Sequence, residues 1–173
     1  KEKVLEVKIK GKNIYDVLDM TIEDSLKFFE NSKTIINKLR PLNDVGLGYL
    51  KLGQPSSTLS GGEAQRLKLA SYLIQDNKVS KNNSLFIFDE PTSGLHNMDI
   101  ENFMKSVNDL IARDNSVIII EHNTELIKQA DWIIDMGPGG GENGGTICFE
   151  GEPTELVNTN NNKTGKYLRK MFV

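Results

Sequence analysis

Apolar residues along the chain fall into two rhythms, one with a period of two and one near three and a half. Between Lys3 and Lys10 they alternate, with Leu5, Val7 and Ile9 on one face, the pattern of a half-buried strand. Gly11-Lys12-Asn13 then supplies a turn. Residues 14 to 45 read as broken helix. Thr21 and Asp24 make a capping pair ahead of Leu26, Phe28 and Phe29, and Pro41 is expected to interrupt a later helix. Gly46, Gly48, Gly53 and Pro55 punctuate the approach to Leu59-Ser60-Gly61-Gly62. From Glu63 onward Ala64, Leu67, Ala70 and Ile74 recur at helical spacing.

The second half repeats a simpler pattern. Asp76 to Ser84 is polar and reads as a loop, and Leu85-Phe86-Ile87-Phe88 is an unbroken apolar run, as in a strand covered on both faces. Ile100, Phe103, Met104, Val107, Leu110 and Ile111 form a helical stripe, and Val117 to Ile120 is the next strand. Residues 85 to 120 therefore predict a βαβ unit with parallel strands. Leu126, Ile127 and Ala130 mark a short helix, and Trp132-Ile133-Ile134 another strand. The glycine-rich stretch 137 to 145 reads as a hairpin turn into an edge strand, Thr146 to Phe149, and Pro153 suits the first turn of a final helix. The expected architecture is α/β with a mostly parallel sheet. The expected division sets a strand plus helical subdomain at 1–58 against the remainder at 59–173.

Composition narrows the class. The 173 residues are 38% hydrophobic, enough for a proper core, and the net charge of -3 argues against a self-sufficient nucleic-acid binder. The one basic cluster, Lys163, Lys166, Arg169 and Lys170, reads as a solvated tail. A single cysteine, Cys148, leaves no internal disulfide and no zinc framework, and is expected half-buried in a strand. No apolar run has the length of a membrane span and no signal peptide opens the chain, so a cytoplasmic location is expected.

In open parallel sheets, ligands bind beyond the carboxyl ends of the strands. Two strands end there in titratable groups, Asp89-Glu90 and Glu121-His122. Chemically, Asp89 suits a magnesium ion, directly or through water. Glu90 would polarise a water attacking a γ-phosphate, and His122 could contact that phosphate or hold the water. Asp-Glu-Pro alone is a weak signal, because strands often end in acidic turns. Ser60 and Glu63 make a capping box, which by itself explains only a helix start. Yet Gly61 and Gly62 at that start also let backbone amides approach a phosphate, which the helix dipole favours.

With these pieces in order, the sequence resembles the nucleotide-binding domains of ABC ATPases. Leu59 to Gln65 resembles the family signature, Leu85 to Glu90 the Walker B strand, Ser93-Gly94-Leu95-His96 the D-loop and His122 the switch histidine. The resemblance implies ATP and magnesium as cofactors. It also implies that Ser60, Gly61, Gly62 and Glu63 meet a nucleotide bound mainly by a partner domain. Within the family the likeness is to the DNA-repair branch. It is carried by Asp44 to Tyr49, Leu52 to Pro55, Asp89 to His96, Ile120 to Asn123, Ala130 to Pro138 and Thr164 to Leu168. His96 stands where transporters usually carry aspartate.

That branch implies an ATPase that finds damaged double-stranded DNA for the bacterial excision-repair nuclease. It would act as a homodimer and hand over to the next repair subunit. The alternatives are the ATPase domain of an ABC membrane transporter and a chromosome-maintenance ABC ATPase. For the latter, residues 1 to 50 lack the expected heptad coiled coil. No Gly-x-x-x-x-Gly-Lys-Ser/Thr occurs, and the family's zinc cysteines are missing. The chain is expected to be the C-terminal part of such a domain, inactive by itself.

Overall fold

The computed structural model describes residues 4–75, 83–139 and 144–171. The chain divides into two compact units, Lys1–Ile120 and Glu121–Val173. The boundary expected between residues 58 and 59 falls inside the first.

The first unit begins without the expected strand. Lys10 and Gly11, both at positive φ, turn the chain so that Ile9 bridges Lys12, and Val7 and Ile9 are exposed. Lys3 lies outside the described residues. Alternation alone makes no strand without a backbone to pair with, and among the described residues only the local Ile9–Lys12 bridge is made here. Three helices follow, α1 (Ile14–Asp19), α2 (Ile22–Phe28) and α3 (Lys33–Leu42). Thr21 caps α2 as expected, its hydroxyl accepting from the Asp24 amide at 3.0 Å. Pro41 sits inside α3 instead of interrupting it, and the helix runs on into a π-helical turn, Asn43–Leu47. Val45 and Leu47 of that turn are fully buried. Residues 48 to 53 then run back along the α1–α2 junction, held by Ile22 N to Leu50 O (2.8 Å) and Gly53 N to Leu18 O (2.8 Å).

After a short 3-10 turn (Ser56–Thr58) comes α4 (Gly61–Gln75), and then β1 (Leu85–Asp89), α5 (Asn97–Ile111) and β2 (Ser116–Ile120). Residues 76–82 of the expected loop lie outside the described residues. β1 and β2 are parallel, with Leu85 opposite Ser116 and Asp89 opposite Ile120, so the βαβ unit is as the pattern predicted. One face of β1 is packed. Phe86 meets Tyr72 of α4 edge-on at 4.8 Å, and Phe88 meets Phe103 of α5 at 5.9 Å. Burying such a side chain is worth about 1.5–3 kcal/mol. The other face, Leu85, Ile87, Ile118 and Ile120, is exposed, so the strand is covered on one side among the described residues. Ile111, at the end of the α5 stripe, is also exposed.

The second unit contains α6 (Thr124–Ile127), β3 (Ile133–Gly137), β4 (Thr146–Gly151), α7 (Pro153–Asn158) and α8 (Lys163–Leu168), then a 3-10 turn (Arg169–Met171). β3 and β4 form the expected antiparallel pair. Trp132 precedes the strand and is exposed, and residues 140–143 of the hairpin lie outside the described residues. Cys148 is exposed, not half-buried. Pro153 does open a helix, although α8 follows it. Ile133, Leu156 and Leu168 form the core, with Phe149, Ile127, Ala130 and Val157 around it. Among the described residues no helix is long and apolar enough to cross a membrane.

Candidate functional site

In the first unit the signature helix and the acid turn are built against each other. Ser60 begins α4 with a reciprocal capping box: its amide donates to Glu63 Oε2 at 2.6 Å, and the Glu63 amide donates to its hydroxyl at 3.3 Å. The other oxygen of Glu63 accepts from the Tyr49 hydroxyl. That hydrogen bond, with the Ser60 amide second, holds the Glu63 carboxyl below its usual value of 4.5. Burial, followed by the Glu63 hydrogen bond, pushes the Tyr49 phenol up. Ser60 and Gly61 are exposed, and a methyl group added at Gly61 would meet nothing within 4 Å. The first amides of α4 therefore sit in an open place with a fixed geometry. That is what an approaching phosphate needs.

Gly62 faces inward. A methyl group there would lie 3.4 Å from Arg66 Nη1 and 3.5 Å from the Glu90 carbonyl oxygen. The next turn of α4 reaches the same segment by side chains. Gln65 Oε1 accepts from the Asp89 amide at 3.0 Å, and Arg66 Nη1 donates to the Pro91 carbonyl at 2.6 Å and to Ser93's at 3.4 Å. Arg66 is fully buried, and that burial lowers its guanidinium from the usual value.

Asp89 and Glu90 leave the carboxyl end of β1 exposed, where a parallel sheet presents ligands. Glu90 is in the left-handed region at φ 46, and its amide donates to the Ile120 carbonyl of β2 at 2.9 Å. Pro91 and Thr92 are buried beneath it. The Ser93 amide donates to the Glu90 carbonyl (3.1 Å) and the Leu95 amide to Thr92's (3.0 Å), so 90–95 is a closed double turn. Gly46, at φ 77, lets the π-helical turn press on it: a methyl group there would lie 2.8 Å from a Leu95 methyl. His96 is the N-cap of α5, without a side-chain capping bond, and is exposed.

The second unit holds His122 on its first turn. Glu121, whose side chain is 2% exposed, accepts from the His122 amide at 2.9 Å and the Asn123 amide at 3.1 Å. These two bonds close its own turn, and His122 is exposed.

Ser60, Gly61, Gly62, Glu63, Asp89, Glu90 and Ser93 to His96 thus share one unit, where α4 and the 89–93 turn are bonded together. Sequence reading assigned no role to Tyr49, Gln65 or Arg66. For Arg66 a signal existed: it heads the spacing 66, 69, 70, 73 with Leu69, Ala70 and Leu73, which puts a charge on an apolar face.

A parallel strand ending in two acids, bonded to a diglycine-capped helix, defines the signature-and-acid part of an ABC-type ATPase domain. A bacterial Atm1-family ABC exporter with ATP bound superposes with a TM-score of 0.53 at 16% identity, over 96% of this chain and 32% of that one, a likeness of fold. The match to UvrA2 of Deinococcus radiodurans is closer, with a TM-score of 0.80 and 41% identity over 98% of this chain and 20% of that one. UvrABC system protein A of Mycoplasmopsis pulmonis is 50% identical over 99% of the chain and 18% of its own length. That of Clostridium perfringens is 55% identical over 96% and 17%, and that of Aquifex aeolicus 52% identical over 96% and 18%. No protein-family profile matches the chain. Over nearly all of its own length the chain is thus similar to UvrA proteins. It spans under a fifth of the length of these curated relatives.

Proposed function

We propose that this chain is the C-terminal part of the second ABC ATPase domain in a UvrA-type protein, a cytoplasmic ATPase that recognises DNA damage in nucleotide excision repair. The carrying observation is the exposed Asp89-Glu90 pair at the end of β1, bonded through Gln65 to the signature helix. Asp89 offers a hard oxygen for magnesium, directly or through water. Glu90 orients and polarises the attacking water, and His122 contacts the γ-phosphate or that water. Ser60, Gly61 and Gly62 present amides to a phosphate held mainly by another ATPase domain, while Glu63 fixes that helix start. Ser93, Gly94, Leu95 and His96 form the D-loop between the two. Magnesium, when bound, neutralises charge on the phosphoryl oxygens.

The open ground before Gly61 and the two exposed carboxylates suit a phosphate and a divalent cation respectively. In the longer protein, a homodimer would use ATP to engage damaged duplex DNA and load the next repair subunit, UvrB. In the full-length protein, Glu90→Gln is expected to leave nucleotide binding intact and slow hydrolysis by roughly 10²- to 10⁴-fold, the usual contribution of a positioned base. Lost binding with normal turnover per bound ATP would overturn the role given to Glu90.

A further inference from the structure

Arg66 is a costly residue to keep where it is. Its side chain is fully buried, its Nη1 donates to the carbonyl oxygens of Pro91 and Ser93, and among the described residues its Nε has no acceptor. An apolar side chain would fill such a place with less desolvation if packing were the only demand. What Arg66 holds is the turn that carries Glu90. That residue adopts a left-handed conformation unfavourable for glutamate, so the turn must be held by its surroundings. The ties that reach it from neighbouring elements include the Glu90 amide to Ile120 of β2, the Asp89 amide to Gln65, and the Pro91 and Ser93 carbonyls to Arg66. Those to Gln65 and Arg66 come from the signature helix. Between them lies Gly62, whose Cα face leaves room for no more than a methyl against the Glu90 carbonyl. A shift of the helix start has little slack to take up before it moves the acid.

We propose that Gln65 and Arg66 are positioning residues that transmit the state of the signature to Glu90. Resting on the ATP-site reading above, this gives one chain a link between two nucleotide sites. Ser60 to Gly62 meet the phosphates of one, and Glu90 activates water in the other.

The test uses the full-length protein with Gln65→Leu, Arg66→Met and Arg66→Lys, measuring kcat, KM for ATP and affinity for a non-hydrolysable ATP analogue. Gln65→Leu and Arg66→Met are expected to lower kcat by roughly 10- to 100-fold, as small misplacements of catalytic groups do, with KM and analogue affinity little changed. Arg66→Lys, which keeps a donor, should recover part of the loss. Ser60→Ala combined with Arg66→Met should lose no more than the worse single change, because both cut the same line. Folded variants with wild-type kcat, or losses that multiply in the double variant, overturn the proposal. If Arg66→Met does not fold, Gln65→Leu decides, since it deletes only the bond to the Asp89 amide. Glu90→Gln separates the two levels. Normal hydrolysis there sinks the ATP-site reading, whereas slow hydrolysis there with fully active Gln65 and Arg66 variants sinks only the coupling.

Discussion

One glycine and its nearby carboxylates are used in opposite ways at the start of α4 and at the start of α8. At the start of α4, Gly61 faces empty space and Asp89 and Glu90 point their charge outward. In the second unit, Gly165 lies so close to the Leu156 carbonyl that an added methyl would sit 2.4 Å from the oxygen. Asp135 there is fully engaged, accepting from Asn162 Nδ2 at 2.8 Å and Thr164 Oγ1 at 3.0 Å. Gly165 permits packing, and Asp135 ties β3 to α8. At the start of α4, by contrast, Gly61 and the acids at 89 and 90 are exposed. That contrast sets residues packed into the fold against the exposed residues to which the proposed function assigns a ligand.

The sharpest way to break it is at Gly165. Gly165→Ala is expected to destabilise the second unit by about 3 kcal/mol, the upper end for overpacking against backbone. Hydrogen exchange across residues 153–171 should accelerate accordingly. Asp135→Ala comes next, at about 1.5 kcal/mol for two lost hydrogen bonds to a charged group. It should leave ATP turnover of the full-length protein unchanged, and a matching fall in turnover would blur the division. Gly61→Ala should do the reverse. With nothing to collide with, it should leave the fold intact or more stable by a few tenths of a kcal/mol. ATP hydrolysis should nevertheless fall, and undiminished hydrolysis would show that bare amide surface is not needed there.

The smallest effect is a pH dependence. Glu63 has its folded value depressed by Tyr49 and by the Ser60 amide. Its contribution is therefore present above the unfolded value of 4.5 and lost as pH falls through the lower folded value. The stability difference between wild type and Glu63→Gln should shrink as urea titrations move from neutral pH to below that window. A constant difference would mean that the Tyr49–Glu63–Ser60 chain is not made in solution.

Local chemistry was legible and distant chemistry was not. The Thr21 cap, the Ser60–Glu63 box, the α5 stripe and the antiparallel hairpin each depend on residues a few positions apart, and all were read from spacing. The parallel pairing of β1 with β2 followed from one helix of crossover length. The strand expected at Lys3 to Lys10 failed because alternation describes a strand's faces but not the partner it needs. The exposure of Leu85 and Ile87 and of Cys148 has the same origin: an apolar run suggests burial without saying which elements would cover it. Pro41 stayed helical because its missing amide falls where α3 passes into a π-helical turn whose Val45 and Leu47 anchor it in the core. At the site, the acids and glycines were found by motif. Gln65 fell within the signature match, but what it and Arg66 bond to was not legible, since their partners lie 24 to 27 residues away.

One map would decide most: the full-length Glu90→Gln protein, stalled with magnesium and ATP. The triphosphate of one site is expected within hydrogen-bond reach of the Ser60 to Gly62 amides, and that of the other beside residues 89 and 90. Nucleotide well ordered but remote from both segments would contradict the account.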